Sequence, residues 1–133
     1  MTNSTKSFSS VYTVQKEHLD ELHHVNNVVY LQFIQSIAQE HWLSITTKEI
    51  RETNLWVVMR HEIDYKDQAL LGDRLEIITW VDQAKGVRTR RNTEIRHAHT
   101  GKVIVVAQTI WCLIDGISKR PKRLTPEFIS LFM

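Results

Sequence analysis

Hydrophobic and polar positions along this chain switch from one period to another, and each switch predicts an element. Phe8 to Glu17 gathers Val11, Tyr12, Thr13 and Val14 and predicts a first strand. His18 to His24 forms a polar connection. From Val25 the period becomes helical: Gln32, Gln35, Ser36, Gln39 and Glu40 fall on one stripe. Val28, Val29, Tyr30, Leu31, Phe33, Ile34, Ile37, Ala38 and Trp42 occupy the remainder. That apolar arc exceeds half the circumference, which predicts a helix buried on most sides. A shorter helical piece is expected around Thr47 to Glu52.

Beyond Asn54 the alternation is that of strands. Leu55 to Met59 is an apolar run that continues through Ile63 and Tyr65. Leu75 to Val81 and Val87 to His97 alternate, with Gly86 in the turn between them, and His99-Thr100-Gly101-Lys102 signals a hairpin. Val103 to Ile114 is a long β-branched run ended by Asp115-Gly116. Thr125 and Pro126 then supply the cap and first position of a short terminal helix. The expected order is strand, long buried helix, and four strands joined by tight turns, hence paired antiparallel. This is an α+β architecture in which one sheet curls round one helix. Val103 to Ile114 is apolar on both faces, so its outer face calls for cover, and a second subunit would supply it.

A length of 133 residues suits a single domain spanning 1–133 with one core. Charged residues at 24%, hydrophobic ones at 42% and a net charge of +2 describe an ordinary globular chain and give no bulk argument for a nucleic-acid partner. Aromatic residues are not interleaved with the basic ones, which also argues against a nucleic-acid surface. The single cysteine, Cys112, lies in a strand-like run and reads as a buried packing thiol in a reducing compartment. The start of the chain lacks a basic-then-apolar signal, and no run approaches a membrane span. A cytoplasmic protein is therefore expected, with residues 1–7 as a flexible polar start.

The densest chemistry lies at residues 20–30, Asp-Glu-Leu-His-His-Val-Asn-Asn-Val-Val-Tyr. Asp20 precedes a helix start crowded by His23, His24, Asn26 and Asn27. A carboxylate beside free helix-terminal N–H groups suits a reaction in which a carbonyl oxygen turns negative. In isolation, Asp20 or Asn26 serving only as a helix cap is the commoner reading of these residues. His18, His23 and His24 point in different directions and have no acidic or thiol cluster at ligand spacing, so no metal is expected. The Gly-x-Ser-x-Gly elbow, the glycine-rich phosphate loop and the HExxH helix are absent, and no cofactor is implied.

Taken together, these blocks resemble the hot-dog fold, and within it the 4-hydroxybenzoyl-CoA thioesterase-like acyl-CoA thioesterases. His24-Val25-Asn26-Asn27-Val28-Val29-Tyr30 looks like that family's "HVNN..Y" helix start. Arg60 to Tyr65, Leu71-Gly72-Asp73, Asp115 and Arg120 to Pro126 match later blocks at family spacing. Plant acyl-carrier-protein thioesterases share the helix start. The chain departs from the pattern at His18, where the family often has a second aspartate. It departs also at His23, usually glycine, and at Gln35 and Ser36, where many relatives carry glutamates.

The resemblance implies an antiparallel five-stranded sheet wrapped around one long helix, and hydrolysis of an acyl-CoA to free acid and CoA. The alternatives are an acyl-carrier-protein substrate or a non-catalytic acyl-thioester-binding module. It implies Asp20, His24 and Asn27 as the catalytic group, Asp20 acting as general base or as nucleophile. Val25, Asn26 and Tyr30 would contact substrate, the backbone N–H groups of residues 25–27 polarising the thioester carbonyl. Asn26 and Asn27 would also fix the helix-start turn. Glu62 matches a carboxylate used by the plant relatives. Arg88, Arg90 and Arg91 would receive the CoA phosphates. The expected assembly is a homodimer or homotetramer, with the acyl chain in an apolar cleft at the dimer interface.

Overall fold

The computed structural model describes residues 6–133. Strand β1 (Phe8–Thr13) leads through a 3-10 turn at Lys16–His18 to helix α1 (Asn27–Ile45) and the short helix α2 (Lys48–Thr53). Strands β2 (Asn54–Tyr65), β3 (Arg74–Lys85), β4 (Arg88–His97) and β5 (Val103–Asp115) follow, and α3 (Pro126–Ile129) closes the chain. Each helix starts where a side chain satisfies a free amide. Asn26 accepts from the Val28 N–H, Thr47 from Ile50, and Thr125, followed by Pro126, from Phe128. Helix α1 begins two residues later than the periodicity suggests, because Val25 is held in an extended bridge to Leu19.

The five strands form one antiparallel sheet in the order β1-β3-β4-β5-β2. The expectation of four strands joined by tight turns therefore fails at one place. Strands β3, β4 and β5 are a meander, but β2 lies beside β5 at the far edge. Residues 66–73 carry the chain across the end of the sheet. This crossing is tied down throughout. The Lys66 and Asp67 N–H groups donate to the Ile104 carbonyl, the Val25 N–H donates to Ala69, and the Gly72 N–H donates to Val14. Gly72 supplies the left-handed φ of 85° that the turn into β3 requires.

The sheet wraps α1. Tyr30, Ile34 and Ile37 of the helix, each 2% exposed or less, meet Leu75, Ile77, Ile95 and Val105 of the strands. Burying one such side chain contributes about 1.5–3 kcal/mol. Cys112 is buried, as its run predicts. Of the expected flexible start, residues 1–5 lie outside the described residues. Lys6 is held: its N–H donates to the Phe132 carbonyl and its Nζ to Ser130. No helix among the described residues is long and apolar enough to cross a membrane.

The end of β5 packs so closely on α2 that a Cβ on Gly116 would lie 2.1 Å from the Glu52 carbonyl oxygen. Neither side of that contact is a flexible side chain. The Gly116→Ala protein is expected to lose about 1–3 kcal/mol of stability through forced backbone displacement. A denaturant melt of the two proteins measures this loss.

Candidate active site

The sequence from Leu19 to Asn27 folds into a closed turn that aims one carboxylate at one helix end. The Asp20 N–H donates to the His24 carbonyl, and the His23 N–H donates to the Asp20 carbonyl. His23 adopts a φ of 62°, the left-handed conformation that glycine reaches most easily and that histidine tolerates. The turn thus keeps its shape with the usual glycine replaced. Asp20 Oδ1 accepts the Leu22 N–H at 2.9 Å and the His24 N–H at 3.1 Å. Oδ2 has no hydrogen-bond partner among the described residues.

The amides at the helix start divide sharply. The Val25 N–H is taken by Ala69 and the Asn26 N–H by His18, while the Val28 N–H is taken by the Asn26 side chain. Among the described residues the Asn27 N–H has no acceptor. The carbonyl-polarising role expected of residues 25–27 therefore narrows to Asn27, because Val25 and Asn26 spend their donors building the turn. No acidic side chain sits in the first turn of α1 to cancel the positive end of its dipole.

Asp20, His24, Val25, Asn27 and Tyr30 border one cavity of about 440 Å³. Tyr30 is 2% exposed, and its hydroxyl is buried without a hydrogen-bond partner. Burial pushes the phenol up to about 12, with Asp67, Asp73 and Asp20 adding to the shift by their charge. Tyr30 thus keeps its proton, although the Ala69 backbone beside its hydroxyl pulls the other way. Leu22 joins them, and Tyr65, Lys66, Asp67 and Gln68 complete the lining. The sequence reading missed these four for this role. They lie at the end of β2 and in the crossing segment, and no local spacing links that segment to the start of α1.

Residues 5–132 match the family model of the acyl-ACP thioesterase N-terminal domain. The chain belongs to that family. A palmitoyl-acyl carrier protein thioesterase of Arabidopsis thaliana is 29% identical over 83 residues, covering 62% of this chain and 20% of the relative. The chain thus spans about a fifth of the length of the curated relatives it matches. Among solved structures, a 1,4-dihydroxy-2-naphthoyl-CoA thioesterase from Synechocystis superposes with a TM-score of 0.82 at 20% identity, covering 95% of both chains. A 12:0-ACP thioesterase from Umbellularia californica gives 0.81 at 17% identity, covering 96% of this chain and 51% of the other. These likenesses establish the hot-dog fold, as the sequence resemblance implies.

In this member of the acyl-ACP thioesterase family, the other expected site residues lie away from the Asp20 cavity. Glu62 sits on the outer face of β2, opposite in parity to Ile63 and Tyr65. It is exposed and pairs with Arg60 at 3.5 Å. Arg88 is exposed at the start of β4. Arg90 has its fork taken by Asp82, with bonds of 2.9 and 2.7 Å. Arg91 is only 5% exposed, on the face of β4 that looks at α1. The structure therefore does not bring the three expected arginines together on one open face. Strand alternation turns Arg91 into the interior, and an ion pair occupies Arg90. His97 is half-buried at the end of β4, beside Asp67 at 3.7 Å and Asp73 at 3.9 Å.

Proposed function

We propose that this chain hydrolyses acyl-CoA thioesters. The observation that carries this reading is the shared cavity: Asp20 and Asn27 both line it, and among the described residues Asp20 Oδ2 and the Asn27 N–H have no hydrogen-bond partner. Asp20 takes a proton from the attacking water through Oδ2. The thioester carbonyl oxygen, turning negative, is received by the Asn27 N–H at the positive end of α1, a donor worth about 3 kcal/mol of barrier. The Tyr30 hydroxyl and the His24 side chain supply further polar contacts to the same oxygen or to the water.

An acyl-carrier-protein substrate is the second reading. It is favoured by the family match and by the names of the curated relatives. Thiol release from acyl-CoA and from the corresponding acyl-carrier protein, followed with a thiol-reactive dye, separates the two. A faster rate on acyl-CoA supports the first. Tight binding of both thioesters with no thiol released makes the chain a binding module instead.

A homodimer is part of this proposal. Among the described residues strand β2 pairs only with β5, so its twelve residues form a sheet edge. Leu55, Val57 and Met59 on that strand are 37–52% exposed. A long apolar edge of this kind calls for a partner strand. We expect a dimeric mass by light scattering, shifting to monomer in the Val57→Lys protein. The localisation expected from the sequence is the cytoplasm, consistent with its single buried cysteine.

A further inference from the structure

A second cavity, of about 390 Å³, opens between the far half of α1 and the sheet. The helical rise puts Gln39, on its rim, about 18 Å along α1 from Asn27. Its walls are Trp42, Trp56, Trp111 and Phe132, and Arg91 stands among them. Arg91 uses little of its hydrogen-bonding capacity. Nη1 alone makes its hydrogen bonds, to His41 Nδ1 at 2.9 Å and to Thr79 Oγ1 at 3.1 Å. Among the described residues no carboxylate pairs with it, and Nε and Nη2 have no acceptor. Nearby, the buried Trp111 indole N–H also has no partner.

A buried cation without a counter-charge is costly, and a buried donor without an acceptor adds to the cost. The Phe132 ring, 5.8 Å from the guanidinium carbon, offsets only part of it. A guanidinium with its free edge on a ring-lined cavity matches one ligand chemistry: a planar anion on an apolar body. We propose that this cavity binds a free carboxylic acid, its carboxylate against Arg91 and the Trp111 N–H and its hydrocarbon or ring body between the tryptophans. The volume is in the range of small-molecule sites. The inference rests on this cavity alone and does not need the thioesterase reading, since binding is measured without turnover.

Three of the protein's four tryptophans line the site, so quenching of intrinsic fluorescence reports occupancy directly. The probes are decanoate and 4-phenylbutyrate, with their methyl esters as neutral controls. We expect each acid to bind at least tenfold tighter than its ester, and the Arg91→Met protein to lose that preference. Gln39→Trp obstructs the cavity from its exposed rim without touching Arg91, and should weaken acids and esters alike at least tenfold. Equal binding of acid and ester to the wild-type protein overturns the proposal. So does acid binding that Gln39→Trp leaves unchanged. If Arg91→Met fails to fold, the wild-type ratio and the Gln39→Trp result still decide.

Discussion

The Asp20→Asn protein is expected to turn over acyl-CoA roughly 10²–10⁴-fold more slowly than wild type, the range typical for losing a positioned general base. The substitution is chosen because asparagine keeps an Oδ1. That oxygen can still accept the Leu22 and His24 N–H groups that now bind Asp20 Oδ1 at 2.9 and 3.1 Å. The turn, the left-handed His23 and the start of α1 then stay as they are, and acyl-CoA affinity with them. The change replaces the free oxygen, Oδ2, by an amide NH₂ that cannot take a proton from water. A fall in kcat with an unchanged thermal melt and unchanged substrate affinity is the expected pattern. Wild-type turnover in this protein removes Asp20 from the chemistry and leaves it as a turn former. An early melt would mean that the carboxylate was structural.

A loss of stability of about 2 kcal/mol is expected between pH 7 and pH 5, from His41. This ring is 2% exposed, stacked on Phe8 and set edge-on to Phe132. Arginine has no acceptor, so His41 Nδ1 must accept the Arg91 N–H and the ring must be neutral, with its proton on Nε2. Burial, and then the charge of Arg91, lowers its pKa from the usual 6.5 to about 4. A base whose pKa is lower in the folded state binds fewer protons folded than unfolded. Stability is therefore complete above pH 6.5 and falls as pH drops toward 4.

His61 is lowered in the same direction by its own burial and titrates in the same sense. Asp67, Asp82 and Asp115 are all held below the usual carboxylate range. Their contributions are lost only at still lower pH, so the interval from 6.5 to 4 belongs to the histidines. Urea unfolding at pH 7 and pH 5, compared between wild type and His41→Gln, measures the effect. Glutamine offers Arg91 an acceptor but does not titrate, and most of the pH difference should vanish. A wild-type curve that is flat over this interval overturns the assignment.

The candidate acid, the helix start and the hot-dog fold were legible in the chain because their signals are local. Helical period, caps at Asn26, Thr47 and Thr125, and the order Asp20 before His24-Val25-Asn26-Asn27 each span fewer than twenty residues. Even the tolerance of His23 for a glycine position follows from its own backbone preferences.

Other features depended on pairings that no short window contains. The place of β2 beside β5, and the crossing at residues 66–73 that brings Lys66 and Gln68 to Asp20, join segments forty to sixty-one residues apart. The amides at the start of α1 look equivalent in sequence. Only the folded chain brings up Ala69 and His18 to consume two of them and leave Asn27. Arg88, Arg90 and Arg91 are a further case. Which face met α1, and that Asp82 at the β3 register shift reached Arg90, came from strand pairing. Local sequence thus determined which groups exist and how each short element forms. Burial and hydrogen bonding are properties of neighbours distant along the chain, so tertiary structure decided which of those groups remain free to react.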